Sequence, residues 1–137
     1  MRRASGFTRG FTLVEVVVAM TIAIVAIGAL AYLLSAATTV NRAARRSTFA
    51  ALLAADKIEQ LRALAFDDVE LAASPVDALQ TDADGFHDTP AEGYRRRWLI
   101  APMPGYPASA LVIHVVVSIV GDAGQASLIT IKSRKAE

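Results

Sequence analysis

The chain has 137 residues, with 14 Lys and Arg against 13 Asp and Glu, for a formal net charge of +1. This length suits one small domain plus an appendage. Without cysteine the chain can form no disulfide, thiolate nucleophile or cysteine zinc site, and its near-neutral charge gives no sign of a nucleic-acid partner.

Residues 1–10 form a short basic leader with Arg2, Arg3 and Arg9 and no acid. Much of the 54% hydrophobic content then lies in one run. Val16 to Leu34, VVVAMTIAIVAIGALAYLL, holds no charge, and only Thr21 and Tyr32 carry a polar side-chain atom. With Phe11 to Val14 the run exceeds the ~20 residues that a spanning helix needs. Its many β-branched residues do not argue for a strand, because in hydrocarbon every backbone group must be paired within the segment. Residues 11–34 are therefore expected to be a transmembrane helix, in which Gly28 is a packing residue or a bend. Arg42, Arg45 and Arg46 follow the span, so the two flanks nearly balance. The basic leader, close to the run, points to the N-terminus inside and the C-terminal part exported.

Two simpler readings compete. A secretory signal peptide also has a basic start, an apolar middle and small residues, here Ser35-Ala36-Ala37. Its apolar core, however, is ~7–15 residues long. A plain single-pass anchor needs no carboxylate at its leading edge, yet Glu15 stands there. Intramembrane acids are unfavourable by a few kcal/mol and usually have a partner. One helical turn earlier stands Phe11, which is apolar. A cut between Gly10 and Phe11 would create an α-amine there, with an ordinary pKa of ~7.7–8.0, largely cationic at neutral pH.

GFTLVEVVVAM, residues 10–20, resembles the leader junction of type IV prepilins and type II secretion pseudopilins. The resemblance implies cleavage between Gly10 and Phe11 by a prepilin peptidase, N-methylation of Phe11, and Glu15 as the fifth residue of the mature chain and its assembly carboxylate. It further implies that Glu15 pairs with the N-terminal amine of a neighbouring subunit. The physical argument runs the same way: an unpaired buried charge is disfavoured, and a correctly staggered neighbour relieves it. The copy at Gly6-Phe7-Thr8-Arg9 is rejected, since cutting there places Phe11, not an acid, fifth. The implied partners are prepilin peptidase/N-methyltransferase, other major and minor pilins or pseudopilins, an inner-membrane assembly platform and membrane lipid. The implied location is the bacterial inner membrane, then a pilus or pseudopilus.

From Ser35 to Ala65 there is no Pro or Gly. Ala44, Ser47, Ala51, Ala54, Ile58, Leu61 and Ala65 follow a 3–4 spacing. The spacing predicts that 35–65 is amphipathic and continues the first helix, giving one helix from about Phe11 to about Ala65, roughly 80 Å at 1.5 Å per residue. A separate helix after a break near Ser35 to Asn41 is the alternative. The stretch AALLAADKIEQLRALAF, residues 50–66, resembles minor pilins of the pilus-modification (PilV) kind and minor pseudopilins of the GspI kind.

Residues 66–93 hold eight acids and no Lys or Arg, and Pro75, Pro90 and the glycines mark the stretch as mostly loop. Asp82-Ala83-Asp84-Gly85 matches part of a calcium loop, but Gln80 and the lack of a properly spaced Glu break the pattern. A solvated acidic loop is expected, with calcium bound by its hard carboxylate oxygens as the alternative. In 94–137, Tyr94 to Ile100, Leu111 to Val120 and Gln125 to Ile131 read as strands, the last two joined by a turn at Gly121-Asp122-Ala123-Gly124. Leu111, Ile113, Val115, Val117 and Ile119 share one face. Arg95, Arg96 and Arg97 either contact the acidic loop or a neighbouring subunit, or lie on a solvated edge. Trp98 is expected in the core.

The expected fold class is α+β, a long N-terminal helix packed against a small antiparallel sheet of about three strands, as the resemblance also implies. His87 and His114, the only histidines, form no catalytic constellation with other residues, and no cofactor or metal site is expected. A non-enzymatic filament subunit is therefore expected. The alternative is a single-pass membrane-anchored periplasmic enzyme or binding domain unrelated to filaments.

Overall fold

A computed structural model describes residues 11–134. Gly10 and the leader lie outside the described residues. The chain divides into two units, residues up to Asn41 and residues from Arg42 onward. Helix α1, Leu13–Ala63, runs through the division.

Within the first unit the side chains of α1 are exposed throughout. The hydroxyls return to the helix's own carbonyls: Thr21 Oγ1 donates to Val17 O at 3.2 Å and Val18 O at 2.8 Å, and Thr38 and Thr39 both donate to Ser35 O. A hydroxyl bonded in this way leaves no unmet donor in an apolar surrounding.

The second unit places the Arg42–Ala63 part of α1 against a four-stranded antiparallel sheet, so the fold is α+β. The strands are β1 (His87–Ala91), β2 (Tyr94–Pro102), β3 (Ala110–Ile119) and β4 (Gln125–Ser133), in the order β1-β2-β3-β4. The core joins Ala50, Ala54, Ile58 and Leu61 of α1 to Trp98, Ile100, Ile113, Val115 and Val117 of β2 and β3. Ala50 and Ala54 are fully buried, and Ile58 and Leu61 continue the buried stripe toward the C-terminus of the helix. Fully burying a side chain of the Val or Ile kind stabilises by about 1.5–3 kcal/mol, so the inner face of β3 is the main contributor. Leu111, Ile113, Val115, Val117 and Ile119 are all buried, as their alternation predicts.

Four strands replace the expected three. His87–Ala91, assigned above to the acidic loop, pairs with β2 through His87↔Arg97 and Asp88↔Arg96. Its composition is poor for a strand. Besides its backbone pairing, it carries Asp88 opposite Arg96, which bonds it with two nitrogens. The helical stripe also differs from expectation. Ala50 rather than Ala51 is fully buried, and Ala44, Ser47 and Ala65 are exposed. The helix contributes to the core only from Ala50, and it ends at Ala63.

Candidate functional site

The expected processing site and assembly carboxylate lie at the start of α1. Thr12 precedes the first helical residue, and its Oγ1 accepts a hydrogen bond from the Glu15 N–H at 3.3 Å. The Val16 N–H donates to Thr12 O at 3.2 Å. Thr12 is thus the N-cap and Glu15 the third helical residue, the Thr-x-x-Glu spacing of a capping box. An acid in the first turn is also favoured by the helix dipole. Sequence reasoning missed Thr12, although the Thr-x-x-Glu spacing could have disclosed it. Glu15 takes part in none of the ion pairs among the described residues. Phe11 is 80% exposed and precedes the helix. The distance from Glu15 to Gly10 falls outside the described residues.

The second unit concentrates its charge around the three arginines of β2, and these meet the acidic stretch. Arg96 is 4% exposed. Its Nε donates to Asp88 Oδ1 at 2.9 Å and its Nη2 to Asp88 Oδ2 at 2.7 Å. Its Nη1 reaches Leu53 O at 2.8 Å and Asp56 Oδ2 at 3.2 Å. Burial opposes the charge on Arg96, but the hydrogen bonds and charge of Asp88 and Asp56 outweigh it and raise its pKa. On the other face of β2, Arg97 Nε donates to Asp82 Oδ1 at 2.9 Å, and Arg95 pairs with Asp82 Oδ2 at 3.2 Å. The hydrogen bond from Arg97 holds the Asp82 carboxyl below the usual carboxylate range.

Lys132 on β4 was also missed. Its Nζ donates to the carbonyls of Leu61, Arg62 and Leu64 at 3.0, 2.8 and 2.6 Å. These include the last orphan acceptors of α1, which a cation satisfies best. Trp98 is buried beneath the Lys57 ammonium, 3.9 Å from the ring centroid, and burial lowers the Lys57 pKa.

His87 and His114 are not brought together with each other, and each meets one oxygen. His87 Nδ1 meets Ala83 O at 2.9 Å and His114 Nε2 meets Ser127 Oγ at 2.7 Å. Among the described residues, no three His, Asp or Glu side chains are grouped so as to hold a metal ion. The His114 contact crosses from β3 to β4, and the His87 contact stays within the stretch that leads into β1.

The start of α1 lies inside a segment that a known family matches. The family described as the prokaryotic N-terminal methylation motif matches residues 9–31. The chain therefore carries a signal of the type IV pilin and pseudopilin class, and the helix that begins within it is long and apolar enough to cross a membrane. Comparison with curated proteins and with solved structures returns no match.

Proposed function

We propose that the chain is a minor pilin or pseudopilin, a structural subunit that enters, or primes, a type IV pilus or type II secretion pseudopilus. A prepilin peptidase cuts between Gly10 and Phe11, and Phe11 becomes the methylated N-terminus. The precursor spans the bacterial inner membrane once, N-terminus in the cytoplasm, with the unit from Arg42 outside. The helix then leaves the bilayer by packing among the helices of other pilins or pseudopilins on an assembly platform. Glu15 meets the amine of a neighbour and sets the stagger.

The match of the methylation motif to residues 9–31 carries this reading, because that segment contains Gly10, Phe11 and Glu15 together. The apolar helix behind it fits membrane anchoring. The motif belongs to structural subunits, which supports lateral packing as the function. Mass measurement of the chain purified from its own cells tests the proposal. The expected mass begins at a methylated Phe11. A retained leader, or an end near Ala37, overturns it.

A further inference from the structure

The two edges of the sheet differ. β1 has five residues, its pairing with β2 shifts register between Asp88 and Ala91, and it contains Pro90, which lacks an N–H. Shortness, a bulge and a proline each close an edge to further pairing. β4 has none of these. It is nine residues long and pairs with β3 from Gln125↔Ser118 to Ser133↔Ala110 without a shift. Its only charge, Lys132, is engaged by the carbonyls at the end of α1.

The outward backbone groups of β4 can be identified. At one end the Ile119 N–H donates to Gly124 O, and at the other the Arg134 N–H donates to Ser109 O. Bonded and non-bonded pairs alternate along an antiparallel ladder. Between those ends, Ala126, Leu128, Thr130 and Lys132 therefore bond to β3, and Ser127, Ile129 and Ile131 turn their N–H and C=O away from the sheet. Ile129 and Ile131 are also 64% and 54% exposed.

We propose that β4 is an assembly edge that receives an extended antiparallel strand from a different pilin-like subunit. This rests on the function proposed above. A strand is the partner whose backbone matches the outward row at Ser127, Ile129 and Ile131. The edge presents no charge, so the matching strand is uncharged and apolar where it lies beside Ile129 and Ile131. A second copy does not supply it. Its β1 is closed, and β4 against β4 requires a two-fold axis. That axis runs the two Arg42–Ala63 helices in opposite directions, whereas subunits inserted in one membrane share a direction. A co-directed subunit with an open first strand meets β4 antiparallel.

The chain has no cysteine, so Ile129→Cys in the full-length protein provides one thiol for a benzophenone maleimide in native membranes. Val76→Cys, at a 92% exposed position away from β4, is the control. Irradiation is expected to give an adduct severalfold above that control, mapped by mass spectrometry to a strand of another pilin-like subunit. Adding Ile131→Pro, which removes an outward N–H and no ladder bond, is expected to abolish it. If emission of the sole tryptophan, Trp98, shows that this variant is unfolded, Ser127→Lys places a charge on the same edge and leaves the backbone intact. An adduct to a second copy, no adduct above control, or an adduct insensitive to the edge substitutions overturns the proposal. The N-terminus of the same sample separates the two readings. Processed Phe11 without the adduct removes the edge proposal alone, and an intact leader removes the function it rests on.

Discussion

Arg96 and Asp88 face each other across β2 and β1 in a two-pronged hydrogen bond of 2.9 and 2.7 Å, with the guanidinium almost wholly buried. The same guanidinium reaches Leu53 O and Asp56 on α1, so one side chain ties the edge strand to the helix through the sheet. Asp88→Ala leaves buried donors unmatched, and the expected loss is about 1–3 kcal/mol. Arg96→Lys is expected to be nearly as harmful, since an ammonium cannot reproduce the planar fork. Thermal unfolding of the detergent-solubilised chain, followed by Trp98 emission, measures both. An unchanged midpoint for Asp88→Ala would show that β1 is held by its backbone alone.

That relationship also marks where local pattern stops being informative. β3 was legible because its run is apolar except for His114 and Ser118, which mark one face as the outer one, and burial follows that division. The helix was legible because no Pro or Gly interrupts it after Gly28, but its buried stripe was displaced. Alanine suits core and surface alike, so Ala50 and Ala51 cannot be ranked until the sheet fixes the contact line. β1 was hidden because Asp88 and Pro90 are turn-like residues, even though its partner Arg96 stands only eight residues further on. At the start of α1, the acid was conspicuous against an apolar run. Its cap, Thr12, was overlooked because a hydroxyl there excites no comparable contrast.

Acid sensitivity should fall in two separate windows. Burial lowers the pKa of His114 from its ordinary value of 6.5. A folded-state value below the unfolded one means that the unfolded chain binds the proton more readily, so stability decreases as pH falls from about 6.5 through the folded value. Asp82 behaves differently. Its folded pKa lies below 3.8, so its contribution is present above that value and disappears as pH falls further. His114→Gln is expected to flatten the upper window, and Asp82→Asn the lower one. Unfolding midpoints measured from about pH 7.5 to about pH 3 test the separation, and an upper window unchanged by His114→Gln counts against the assignment.

Lys132 closes the end of α1 from the neighbouring strand. Lys132→Met keeps much of the aliphatic stem but removes three hydrogen bonds to Leu61, Arg62 and Leu64 carbonyls. A loss of about 1 kcal/mol is expected, in the range of other helix-terminal interactions. Amide exchange should rise in the last turn of α1 and in β4, with little change at β2. Lys132→Arg keeps the charge but is not equivalent to the native lysine, because the larger planar fork does not fit three converging carbonyls. It should therefore recover only part of the loss.

Glu15 provides the most direct test of assembly. In the bilayer a carboxylate near the helix start is unfavourable by a few kcal/mol without a partner, less toward the interface. Removing it therefore does not impede insertion, and on the proposed function the Gly10–Phe11 junction stays intact for cleavage. Glu15→Ala is expected to insert and be cleaved normally, yet enter filaments poorly. Glu15→Gln keeps the shape and removes the charge, so it should fail similarly if charge pairing with a neighbour's amine sets the stagger. Loss of the acid's favourable position in the first turn, about 0.3–1 kcal/mol, is too small and too local to explain a severe assembly defect. Quantifying the processed protein in sheared filaments against the membrane pool gives the result. Wild-type incorporation of both variants would remove the pairing role, even with the N-terminus correctly processed.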